Sequence, residues 1–133
     1  MDVATQKLVR NRAGNRCEYC HLHQDAAPFL RFHIEHVQAR QHIQDDSPNN
    51  LALACPDCNR HKGPNLTTLD PNTREIVLLF HPRTDIWSDH FLIEGNFIRG
   101  ISQIGIATEK LLAFNSDERV EMRSEIDPTS YRT

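Results

Sequence analysis

Four cysteines stand as two pairs, Cys17-Glu-Tyr-Cys20 and Cys55-Pro-Asp-Cys58, with thirty-four residues between the pairs. A two-residue gap lets both sulfurs of a pair reach one ion at about 2.3 Å, and four thiolates so spaced suit tetrahedral Zn²⁺. Four sulfurs leave no position open for substrate, so the ion that this spacing predicts is structural and staples the ends of the intervening segment. Redox chemistry is the other use of CxxC pairs and ranks below the metal reading. His21 and His23 follow Cys20 closely enough to be rival ligands and rank below it.

The segment between and beyond the pairs, "FHIEHVQARQHIQDDSPNNLALACPDCNRHKG", is dense in groups that bind metals, move protons or grip phosphate. A neutral imidazole near pH 7 is a proton acceptor, and His33, His36, His42 and His61 all fall here. Carboxylate and amide oxygens are hard ligands that suit Mg²⁺, and Glu35, Asn50 and Asn59 supply them. Arg40, Arg60 and Lys62 are cations of the kind that position nucleic acid through its phosphates, with His42 and His61 beside them. Each has a plainer alternative: a surface histidine, a turn asparagine, a solvated helix charge.

The elements that must position these groups are partly readable. Residues 3–13 carry apolar positions at helical spacing and end at Gly14-Asn15. From Phe29 to His36 the pattern alternates, with Leu30, Phe32 and Ile34 on one side and Arg31, His33 and Glu35 on the other, which predicts a half-buried strand. In a straight strand Glu35 and His36 point to opposite faces, so a site using both needs the strand to end there. "RQHIQDDSPNN" reads as a loop, Leu51 to Ala54 as a second strand, and "PDCNRHKG" as a short helix with proline in its first turn and Gly63 as terminator. The order is strand, loop, strand, helix.

Downstream, "REIVLLF" (74–80) predicts a strand, two apolar runs around Gly95-Asn96 predict a hairpin, and Ile104, Ala107, Leu111 and Phe114 fall on one helical face. Ser116 is placed to cap a last helix. His81, Arg83, Trp87 and His90 form a polar and aromatic group in which Trp87 is expected to pack with Phe80 and Phe91 rather than extend a nucleic-acid surface. The chain of 133 residues thus reads as a single α+β domain over 1–126, with a motif core at 17–63, an extension at 64–126 and a loose tail at 127–133.

Composition constrains function only weakly. A net charge of −3 does not mark a general polyanion binder, although residues 1–63 sum to +1 and residues 64–133 to −4, and six of the eight histidines lie in the first half. No run is long and apolar enough for a membrane span, and the first residues lack the apolar stretch of a secretion signal, so a cytoplasmic protein is expected.

In its order of residues the segment resembles the HNH, or ββα-metal, endonucleases, in the branch that carries two zinc knuckles. That pattern pairs an acidic residue with histidine at the end of a first strand, here Glu35-His36. It places Asn-Leu before the third cysteine, here Asn50-Leu51, and Asn or His directly after the fourth, here Asn59. The resemblance implies a ββα-metal motif stapled by a four-cysteine zinc site and flanked by an N-terminal helix and a C-terminal hairpin with helices. It implies His36 as general base, Glu35 and Asn59 as ligands of a catalytic Mg²⁺ or another divalent cation, Asn50 as a brace of the loop, and double-stranded DNA as substrate. Two positions depart from the pattern: glutamate stands where aspartate is usual, and Ile43-Gln44 stand where a glycine pair is common. A catalytically inactive, zinc-stapled module that binds nucleic acid or protein would use the same cysteines.

Overall fold

The structure is a computed structural model and describes residues 1–132. Its first helix, α1 (Val3–Arg12), is capped by Asp2, whose carboxylate accepts from the Thr5 amide at 2.7 Å. The first cysteine pair follows in a tight turn. Next come β1 (His33–His36) and β2 (Leu51–Ala54), antiparallel and paired His33 with Ala54 through His36 with Leu51. All four residues of β2 are buried. Side chains alternate between faces of a strand, so this hairpin is covered on both. The helices that contact it are α1 and α2 (Pro56–Lys62), the latter with Pro56 in its first turn and the Cys55 sulfur accepting from the Cys58 amide.

Two expectations for β1 change here. The strand begins at His33, four residues later than the alternation predicts, because the Gln24 side chain takes the backbone groups a partner strand would need. Its amide donates to the carbonyls of Ala27 and Leu30 and its oxygen accepts from the Phe32 amide. Phe29 is consequently 97% exposed. Cover on both faces also buries Glu35, expected on the outward side, to 8% exposure.

Residues 64–132 build three further units. A short hairpin pairs β3 (Thr67–Leu69) with β4 (Ile76–Leu78); its turn is set by Asp70, which accepts from the amides of Asn72 and Thr73. The one-turn helix α3 (Trp87–His90) leads into the hairpin of β5 (Phe91–Glu94) and β6 (Phe97–Gly100), turned at Gly95 with φ of 60°. Then come α4 (Gln103–Leu111), capped by Ser102, and α5 (Asp117–Glu125), capped by Ser116. Gly105 lets α4 meet its neighbours closely, for a Cβ there would lie 1.9 Å from the His90 carbonyl oxygen.

Motif and extension share one core, in which Val9, Tyr19, Phe32, Leu51 and Leu53 pack with Phe80, Phe91, Ile98, Leu112 and Phe114 and with the four cysteines. The segment expected to be a loose tail is instead docked. A 3₁₀ turn spans Pro128–Ser130, Tyr131 is buried with its hydroxyl donating to Asn96, and Ser130 and Thr129 accept from the His23 amide and the Arg16 guanidinium. The last residue of that expected tail, 133, lies outside the described residues. No helix of the described residues is long and apolar enough to cross a membrane.

Candidate active site and metal centre

The sulfurs of Cys17, Cys20, Cys55 and Cys58 all lie within 4.8 Å of one another, and all four residues are buried. The thiols are free, with no disulfide. In each pair the amide of the second cysteine points at the sulfur of the first, Cys20 N to Cys17 Sγ at 3.5 Å and Cys58 N to Cys55 Sγ at 3.4 Å, so the backbone itself favours charged sulfurs. Cys20 Sγ approaches Cys55 Sγ to 3.7 Å across the pairs. Burial pushes the Cys17 and Cys58 thiols well up, while hydrogen bonds from the other three cysteines pull Cys20 down. Thiols raised by burial give up their protons to a metal rather than to water. Donor type, number and separation therefore fit one zinc ion. Neither rival histidine joins them: His21 stacks on Trp87 and His23 caps a turn through the Asp25 amide.

One side chain links this cluster to the predicted catalytic residues. Tyr19, between Cys17 and Cys20, is buried and its hydroxyl donates to Glu35 Oε1. Burial raises both groups: the Tyr19 hydroxyl is lifted well above its usual range and the Glu35 carboxyl above its own. The charge of Lys62 opposes the rise in Glu35. Lys62 itself is a correction to the phosphate-gripping set. It is 1% exposed, its ammonium donates to the Val37 carbonyl at 2.9 Å, and burial pulls its proton affinity down. The lysine fastens the end of α2 to the chain leaving β1 and does not reach solvent.

His36 ends β1 and is turned the other way. Its Nε2 lies 2.7 Å from Asp46 Oδ1, and the same oxygen accepts from Arg40 at 3.2 Å. The hydrogen bond from His36 is the main cause holding the Asp46 carboxyl below its usual range. An ionised carboxylate can only accept, so Nε2 carries a proton toward Asp46, and in the neutral ring Nδ1 is the nitrogen that accepts one. Asp46 was not among the residues that sequence reasoning singled out. The adjacent acids of "QDDSP" were the only hint, since an exposed loop acid looks like any other.

Asn50 is buried and spans the loop that carries Asp46. Its oxygen accepts from the Gln38 amide, and its amide donates to the carbonyls of Gln38 and Asp45. It thereby ties the residue two beyond His36 to the residue just before Asp46. Asn59 lies one turn before Lys62 on α2, half-buried, with no side-chain hydrogen bond among the described residues. Arg40 and Arg60 are exposed, paired with the exposed Asp46 and the half-exposed Asp57 respectively. His42 meets the Pro64 carbonyl, and His61 lies beside Arg60. In the extension, Trp87 packs on Phe91 and donates to the Tyr19 carbonyl, while Arg83 pairs with Glu18.

Among the described residues the cysteine cluster is the one group of three or more His, Cys, Asp or Glu side chains spaced to hold a metal. A second cation at Glu35 and Asn59 would have two protein ligands and otherwise water or phosphate, which is how Mg²⁺ is commonly held. The donors suit that ion, with one Glu35 oxygen already engaged by Tyr19.

Residues 17–65 match the family described as HNH endonuclease. The matched stretch runs from the first cysteine to just past α2 and covers a little over a third of the chain, including both cysteine pairs, Glu35, His36, Asn50 and Asn59. The chain matches no curated protein and no solved structure.

Proposed function

We propose that the protein is a metal-dependent HNH endonuclease that hydrolyses phosphodiester bonds in double-stranded DNA, built on a ββα-metal motif with a structural zinc at its four cysteines and acting in the cytoplasm. One observation carries the reading. Within the segment matched to that family, His36 is held by a carboxylate through Nε2, and its Nδ1 makes no hydrogen bond among the described residues.

In this reading His36 Nδ1 takes a proton from the water that attacks phosphorus. Asp46 keeps the opposite nitrogen protonated and stabilises the imidazolium as it forms. Glu35 and Asn59 would hold the divalent cation, Mg²⁺ or another, with Tyr19 orienting the Glu35 carboxylate. When bound, that cation neutralises charge on the scissile phosphate and the departing oxygen. The P–O3′ bond breaks and the departing oxygen takes a proton from solvent water, leaving a 3′-hydroxyl and a 5′-phosphate, while His36 returns its proton to solvent. Asn50 keeps the loop bearing Asp46 in register with β1. Arg40, Arg60, His42 and His61 contact the phosphates on either side.

The test is relaxation of supercoiled plasmid by purified protein with Mg²⁺, Mn²⁺ or Ni²⁺, beside a folded His36→Ala variant. The variant is expected to lose about 10²- to 10⁴-fold in rate. Equal rates would exclude His36 as the base. Absence of cleavage with all three ions would favour an inactive zinc-stapled binding module.

A further inference from the structure

Two arginines of α5 are buried, and among the described residues neither has a buried carboxylate to pair with. Arg119 is 5% exposed and Arg123 2%. They stand four residues apart and so share one helix face. Among the described residues Arg123 directs its guanidinium at neutral oxygens, the carbonyls of Asn96 and Phe114 and the side chain of Asn115. Arg119 donates through Nη1 to the Leu112 carbonyl at 2.7 Å. Its nearest carboxylate is the half-exposed Asp57, 4.0 Å away from an Nε that forms no hydrogen bond. What Arg119 does reach is sulfur: Nη2 lies 3.2 Å from Cys58 Sγ and 3.9 Å from Cys55 Sγ.

A buried cation is costly unless an anion accompanies it. Zinc bound by four thiolates carries two negative charges, also buried, and the two guanidinium groups carry two positive ones. We propose that Arg119 is the outer charge partner of the zinc centre, donating an N–H···S hydrogen bond to Cys58, with Arg123 completing the balance one turn further on. The inference rests on the zinc reading above and gives the extension a role in it: α5 secures the metal, and the metal secures α5. Coupling of this kind is reciprocal. Metal loss therefore releases the C-terminal helix, and loss of the guanidinium loosens the metal. Arg119 touches no reacting atom and is a positioning residue.

The test uses the full chain with its zinc, as wild type, Arg119→Met, Arg119→Lys and Arg123→Met, all well below their melting temperatures. Zinc content is measured first, then the rate of zinc transfer to a chromogenic chelator, the thiolate-to-metal charge-transfer bands of the Co²⁺-substituted protein, and amide exchange over residues 112–132 with and without metal. Expected are about tenfold faster release from Arg119→Met, as outer hydrogen bonds to metal ligands are worth, a shift of its cobalt bands, and partial rescue by Arg119→Lys. Arg123→Met should leave the cobalt bands in place, and wild-type α5 should lose protection when the metal is removed. Should Arg119→Met fail to fold, the cobalt bands of Arg119→Lys decide. A zinc-loaded Arg119 variant with wild-type release and wild-type bands overturns the role of Arg119 alone. Wild-type protein without one tightly held metal overturns the zinc reading itself.

Discussion

The stretch from Cys17 to Gly63 and the stretch beyond it are held together by different means. The first has one short hairpin and a two-turn helix; beside the apolar residues it gives to the shared core, it is tied by the sulfur cluster, the Tyr19 to Glu35 hydrogen bond, the Lys62 bond to Val37 and the three bonds of Asn50. Aromatic packing among Phe80, Phe91 and Phe114 and a close backbone approach at Gly105 order the second. The difference teaches that the region matched to the nuclease family is supported from outside. Its knuckle carbonyl at Tyr19 receives Trp87, its Glu18 receives Arg83 and its Cys58 receives Arg119. The cysteine-bearing segment gains contacts from a neighbour that contributes none of the predicted catalytic side chains.

Stripping the metal would break this contrast most severely. Chelation, or acid that protonates the thiolates, is expected to lower the melting temperature more than any substitution below, as read by circular dichroism with and without chelator. A methyl group in the extension comes next. Gly105→Ala places a Cβ against the His90 carbonyl and should cost about 3 kcal/mol in denaturant titrations, while metal content stays at the wild-type level. Lys62→Met sharpens the comparison from the other side: removing the bond to Val37 should cost about 2 kcal/mol and leave the salt dependence of DNA binding unchanged. The smallest effect is expected for Arg60→Ala, with no measurable change in stability and a fall of about one in the slope of log affinity against log salt.

Local signals gave most of the elements, and non-local ones hid the rest. The proline-led helix after Cys55, the hairpin at Gly95-Asn96, the apolar face of α4 and the serine cap of α5 are each decided by a few nearby residues, so β2, α2, the β5–β6 hairpin and the later helices were legible. The early start expected for β1 failed because Gln24, some way back in the chain, takes its backbone partners. Three-residue β3 and one-turn α3 are too short to show a period. In the candidate site, the cysteines and the order of His36, Asn50 and Asn59 stood out by type and spacing. The directions of Glu35 and Lys62 did not, since a charged residue reads as exposed unless its cover is known. Asp46 and Arg119 were silent for the same reason: each becomes notable only through a partner brought to it by folding, ten residues away for one and sixty-one for the other.

The docked C-terminal segment has a consequence for how the molecule comes into being. Arg16 and His23, on either side of the first cysteine pair, find hydrogen-bond acceptors at Thr129 and Ser130, over a hundred residues later. Loop closure over such a span comes late and slowly. A chain emerging from the ribosome would thus present bare thiols long before their surroundings are complete, and early capture of an ion is what would shield them from oxidation during synthesis.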